Sequence, residues 1–333
     1  MPSFSFKKQT NCYLVTEDDQ QTLRVERFLA IEVSFSQTFT EKSYTRKGIL
    51  NTDYFEGSVI NKANPANFEI SFYLGKFNSS PNFLSDLWSK AISPDPDFTT
   101  VNPNQSKVIG TFDLLRETEQ DTFSLEDCVI TNWVFGIERL QPLSITVSGE
   151  AKKLQRVGGK DYVSDLISNN NNYRNWSAGS YSAVLDPISK DYLIPRALDL
   201  ILNSQNISSC VTSVSLELQN DIKWTPYTNI TDAISASNAS TSMYPQGFTY
   251  DKKILSGTII RYISDDNPDM LDWDSSATLT TLNIKDESDT PISISALPIT
   301  FTNRITPDQI FIESYDWRAT DKDALSKLTL TTT

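Results

Sequence analysis

The chain has 333 residues, 38% of them apolar and 11% aromatic, and carries a formal charge of −13. That length suits two domains of roughly 150 residues, each able to bury its own core. Histidine is absent, which excludes Ser-His-Asp and Cys-His catalysis and most zinc sites, and an acidic balance in both halves disfavours tight duplex binding, because phosphates require a basic face.

Met1–Lys8 lacks an apolar core of signal-peptide length, and no later run approaches a membrane span, so cytoplasmic synthesis without membrane insertion is expected. Cys12, Cys128 and Cys210 have no motif spacing and read as free thiols. In 31–36, Ile31, Val33 and Phe35 alternate with Glu32, Ser34 and Ser36; around 69–74, Ile70, Phe72 and Leu74 alternate with Glu69, Ser71 and Tyr73. Both are half-buried strands by period. Ser80-Pro81-Asn82-Phe83-Leu84 opens a helix ending near Lys90, with Trp88 inside it. The adjacent carboxylates Glu126-Asp127 read as solvated surface, since neighbours on a strand point to opposite faces. In 143–150, Leu143, Ile145 and Val147 oppose Ser144, Thr146, Ser148 and Glu150.

Gly158-Gly159-Lys160 fails as a phosphate loop, lacking the preceding glycine and a following Ser or Thr. The 155–195 stretch, polar and irregular around Asn169–Asn172, reads as a linker. Asp265, Asn267 and Asp269 alternate like calcium ligands, but Met270 and Ser276 stand where an EF-hand needs Gly and Glu; Asn267-Pro268-Asp269 reads instead as a helix start. No catalytic residue, cofactor or metal is therefore expected, and the chain reads as a non-enzyme.

The second half repeats the grammar of the first. Ser213–Leu218 echoes Glu32–Gln37, Tyr244-Pro245-Gln246-Gly247 matches Tyr54-Phe55-Glu56-Gly57, and Ile260–Tyr262 matches Ile70–Phe72. Asn267-Pro268 opens a second helix ending near Ser276, and 127–135 and 142–150 correspond loosely to 309–317 and 324–332. Order and spacing together predict a duplicated, mainly β chain: a domain over 1–154, a linker over 155–195 and a second domain over 196–333.

The run EVSFSQTFTEKSYTRKGIL from Glu32, leading into FEGSVINKANPANFEISFYL, resembles the tube domain of tail tube proteins of long-tailed bacteriophages, as does Leu140–Gly149. The resemblance covers 30–154; the second copy joins it through the duplication alone. It implies two fused sandwich or barrel domains, each with a short flanking helix, closing as trimers into pseudo-hexameric rings that stack into a tube conducting DNA. It further implies assembly in the host cytoplasm, a place in the virion tail, and tape measure, terminator and distal tail proteins as end partners. On that reading Glu32, Ser34, Ser36, Glu69, Ser71, Ser144, Ser148, Glu150, Ser215 and Glu217 are candidates to face the lumen. Glu41, Lys42, Tyr44, Arg46 and Lys47, in a loop over 40–53, are candidates to touch the next ring. Alternatives are a distal tail or baseplate ring protein that does not polymerise, and a carbohydrate-binding sandwich using Trp133, Trp176, Trp224 and Trp317.

Overall fold

The computed structural model describes residues 10–17, 22–47, 53–75, 83–92, 101–102, 107–108, 111–168, 180–184, 192–224, 243–245, 247–264, 275–286 and 290–330. The chain is mainly β. β1 (Asn11–Glu17), β2 (Thr22–Phe28) and β3 (Glu32–Ser36) precede a separate hairpin of β4 (Phe39–Lys47) and β5 (Asp53–Ala63), then β6 (Ala66–Tyr73). Helix α1 (Phe83–Ile92) and the short pair β7 (Val101–Asn102) and β8 (Lys107–Val108) lead into β9 (Phe112–Glu117), β10 (Asp121–Glu138) and β11 (Ser144–Gly159). Next come α2 (Tyr162–Ser168), β12 (Ser180–Val184), β13 (Ala197–Leu202) and β14 (Gln205–Asn206). The chain closes with β15 (Val211–Trp224), β16 (Phe248–Tyr262), β17 (Ser275–Lys285), β18 (Ile292–Thr306), β19 (Ile312–Ala319) and β20 (Leu328–Leu330).

Alternation decides which side of each strand is dry. In β6, Phe68, Ile70 and Phe72 are buried while Asn67, Glu69 and Tyr73 are exposed; in β11, Ile145 and Val147 are buried between half-exposed Ser144, Thr146 and Ser148. α1 covers this dry face with Leu84, Leu87, Trp88 and Ala91.

The strands pair antiparallel in the order β3-β6-β11-β10, and the same order recurs as β15-β16-β19-β18. In both halves the last strand turns a corner into a second layer. β10 passes through β9 to β1 and β2, while β18 passes through β17 to β13 and β14. The layers pack face to face, as where Phe68 meets Phe112 edge-on at 6.1 Å. Each corner has a residue of positive φ: Asp127 (55°) sits at a register shift between β9 and β10, and Ala296 (48°) is skipped in the otherwise constant register of β17 with β18.

Pairing revises several expectations. Ile70 corresponds to Ile259, not Ile260: both are buried at 1%, and a one-residue slip would turn the whole strand over. β10 and β11 correspond to β18 and β19, so the assignments to 309–317 and 324–332 are displaced; 324–327 is a 3₁₀ turn. Glu126 and Asp127 are not solvated. They are 2% and 0% exposed because the bulge turns them inward, where Asp127 N–H donates to Asp113 Oδ1 at 2.8 Å and Thr111 Oγ1 donates to Asp127 Oδ1 at 3.2 Å. The 155–195 stretch carries the end of β11, α2 and β12, the last running parallel to β2. The second helix start, at Asn267, lies outside the described residues, and β17 has begun by Ser275.

Candidate assembly interface

β10 and β15 join the two halves edge to edge. Their ladder runs from Asn132 opposite Gln219 to Glu138 opposite Ser213. Trp133, Phe135 and Ile137 meet Leu218, Leu216 and Val214, and all six are buried, Phe135 to 1% and Leu216 to 0% exposure. Each such side chain contributes about 1.5–3 kcal/mol relative to exposure. Trp88 of α1 packs edge-on against Trp133 at 5.1 Å and Phe135 at 5.8 Å.

The second half also closes the end of this helix, whose last carbonyls have no partner within the helix. Asn220 Nδ2 donates to Ala91 O at 3.1 Å and to Ile130 O at 3.0 Å, and Lys253 Nζ donates to Ile92 O at 2.7 Å. Burial of Lys253 pulls its pKa below the ordinary lysine value. Trp224 Nε1 donates to Glu150 Oε2 at 2.7 Å across the same junction.

The outer strands of this arrangement lack such a neighbour. Among the described residues β3 pairs with β6 alone, and beyond Phe301 β18 pairs with β19 alone. Leu74 N–H donates to Leu143 O, so even-numbered residues of β6 bond toward β11 and odd-numbered ones toward β3. Val33 and Phe35 therefore direct their backbone groups away from β6. The bond from Thr320 N–H to Pro298 O sets the phase of β18 in the same way, turning Ile305 outward. Large apolar side chains stand exposed at both edges: Leu29 and Ile31 beside β3, and Ile305, Ile310 and Phe311 at the end of β18. Exposed edges of this kind invite pairing with another chain.

All ten lumen candidates lie on one face of the sheet. Cross-strand pairing sets Glu32 beside Ser71 and Ser71 beside Thr146, and places Ser34 and Ser148 on either side of Glu69, Ser36 and Glu150 on either side of Asn67, and Ser144 and Ser215 on either side of Gly136. Glu217 continues the row through Val134, and Ser71 Oγ lies 3.0 Å from Thr146 Oγ1. Glu150 is distinguished from the others by its bond to Trp224. Pairing adds residues that the sequence reading missed: Arg318 through Ser256, Asp316 through Thr258, and Arg304 through Ser314. Period alone would have placed them, had the pairing order been known. An open groove of about 680 Å³, lined among others by Ser71, Ser144, Ser213, Ser215 and Thr258, crosses the junction on this face.

Glu41, Lys42, Tyr44, Arg46 and Lys47 fall on β4, in a hairpin that among the described residues pairs with no other strand; the tip at 48–52 and the side chains of Lys42, Tyr44, Arg46 and Lys47 lie outside the described residues.

On the dry face the halves differ. Arg261 Nε donates to Glu313 Oε2 at 2.6 Å and its Nη2 to Tyr315 OH at 3.0 Å, while Asn303 Nδ2 donates to Glu313 Oε1 at 2.8 Å. Arg261 is 1% exposed and Glu313 2%. The corresponding cross-strand pair in the first half is Phe72 with Ile145. Trp133 and Trp317 are buried and present no free stacking face, and half-buried Trp224 packs on Phe248 at 5.6 Å; Trp176 lies outside the described residues. None of the three cysteines is joined in a disulfide, and Cys12 and Cys128 are buried. Among the described residues no group of three or more metal-ligating side chains comes together, and no helix is long and apolar enough to cross a membrane.

Compared with family models and with curated proteins, the chain matches none.

Proposed function

We propose that this chain is a structural subunit of a bacteriophage tail tube, with two tube domains fused in one polypeptide over 1–154 and 196–333. Three chains close a ring that looks six-lobed, rings stack into a tube, and tape measure, terminator and distal tail proteins meet its ends. The observation that carries this reading is the recurrence of one four-strand pairing order, joined edge to edge inside the chain and ending in two edges that have no partner strand among the described residues. A unit that already pairs with its own copy needs only its remaining edges to pair for a ring to close. The polar face supplies the channel wall, its hydroxyls and carboxylates offering DNA little to hold, and the β4–β5 hairpin reaches the neighbouring ring.

Burial of Trp133 and Trp317 weighs against the carbohydrate-binding reading. Electron microscopy of the purified protein tests the proposal. Long tubes are expected, and single rings should replace them when the hairpin is shortened to a tight turn. Monomers at high concentration would contradict the proposal, and single rings from the unaltered chain would support a distal tail protein instead.

A further inference from the structure

The two halves can be aligned residue by residue, because one cross-strand pair occurs in both. Gly149 of β11 lies opposite Phe68 of β6, and Gly257 of β16 lies opposite Trp317 of β19, with the aromatic ring over the glycine each time. This alignment sets Phe135 on Ile305 and Leu216 on Phe35. In the internal junction Phe135 stands opposite Leu216, and Ile137 stands opposite Val214.

Resting on the ring-forming reading above, we infer that β18 of one chain pairs antiparallel with β3 of a second copy in the register that puts Ile305 opposite Phe35, Thr306 opposite Ser34 and Pro307 opposite Val33. Ile305, 37% exposed, and the half-buried Phe35 then become covered as Phe135 and Leu216 already are.

Two independent features fit this register. Pro307 has no N–H and cannot complete a ladder bond to the residue facing it. Val33, which faces it, has its outward carbonyl already occupied: Arg116 Nη1 donates to Val33 O at 3.2 Å while the guanidinium rests 5.3 Å from the centre of the Phe35 ring. The donor missing at Pro307, just past the end of β18, thus falls opposite a β3 carbonyl that Arg116 already occupies. The pairs on either side of Phe35, Thr306 with Ser34 and Arg304 with Ser36, are then non-hydrogen-bonded pairs whose side chains approach closely enough for a disulfide.

The test uses the full-length chain carrying Cys210→Ser, to remove the exposed native thiol, together with Thr306→Cys and Ser34→Cys. An off-register chain carries Thr302→Cys with Ser34→Cys. After assembly and mild oxidation, the first should give a covalent ladder ending at three chains under denaturing conditions, and the second mostly monomer. Rings or tubes that crosslink only in the off-register chain, or in neither, would overturn the register and leave the tube reading intact. Failure of every variant and of the parent chain to assemble would overturn both.

Discussion

The ring of Phe68 fills the place that a side chain on Gly149 would occupy: a Cβ there would lie 2.6 Å from Phe68 Cζ and 2.1 Å from Val129 O. In the second half the partners change strands, and a Cβ on Gly257 would lie 2.7 Å from Trp317 Cζ2 and 2.3 Å from Ser215 O. An aromatic over a strand glycine restores the packing that the glycine gives up. Both glycines therefore exist for close approach.

Gly149→Ala and Gly257→Ala should each destabilise the chain by about 1–3 kcal/mol, the range for overpacking a filled core. Gly159→Ala, where the nearest neighbour of a new Cβ is Gln120 O at 3.9 Å, should be close to neutral. Urea midpoints at constant slope read the difference. Equal midpoints for all three variants would remove the packing argument.

The Arg261–Glu313 pair predicts a non-additive response. Glu313→Ile alone leaves a buried guanidinium without its carboxylate and should cost about 3–5 kcal/mol. Arg261→Phe with Glu313→Ile, which transplants the Phe72–Ile145 pair, should cost less than that single change. A double-mutant cycle in urea checks this, and additive costs would show that the two side chains are not coupled.

Alkaline pH should unfold the chain through a few tyrosines. Of the 13 tyrosines, Tyr13, Tyr250 and Tyr315 have pKa values raised above the ordinary 10.0, chiefly by burial, with hydrogen bonds to Glu117 and Glu313 adding to the shift at Tyr13 and Tyr315. Above pH 10 the unfolded chain loses these protons and the folded chain keeps them, so the folded state binds more protons and stability falls as pH rises. Lys253, shifted down, works in the opposite sense below pH 10.5. Phenolate absorbance should show these three rings ionising together with loss of the fold. Their ionisation at ordinary pH in an intact fold would contradict the assignment.

The polar face predicts a charge effect on ejection. Replacing Glu32, Glu69 and Glu217 with lysine leaves the dry face untouched and adds phosphate-binding groups to the proposed channel wall, so genome release should slow at low salt and recover as salt screens the contacts. Arg304 and Arg318 already lie on this face in the second half, so neutralising them should act in the opposite direction. Unchanged release kinetics at low salt, in particles with normal tails, would place this face outside the channel.

Local period made much of the framework legible. Ile70, Phe72, Ile145 and Val147 sit inside as their alternation requires, and the hydroxyls and carboxylates between them share one face. Pairing partners were less legible, because the ladder between β10 and β15 joins residues about 80 positions apart and leaves no local signature. For the same reason the terminal strands of the repeat were matched one strand too late. Residue type misled where a strand bends: Asp127 is an aspartate yet buried, because its positive φ turns it into the corner where Thr111 and Asp113 meet it. Arg261 and Glu313 were invisible as a site because each becomes tolerable inside only through the other.

The central claim is that one edge-to-edge junction, made once within the chain between β10 and β15, is made again between chains. Cryo-electron microscopy of the assembled protein, with symmetry assigned from side-chain density, measures this most directly. The account predicts three chains per ring, six similar junctions around the channel, and β18 against the neighbour's β3 at the three that cross between chains. Six chains per ring, or a ring closed through any other pair of strands, would contradict it.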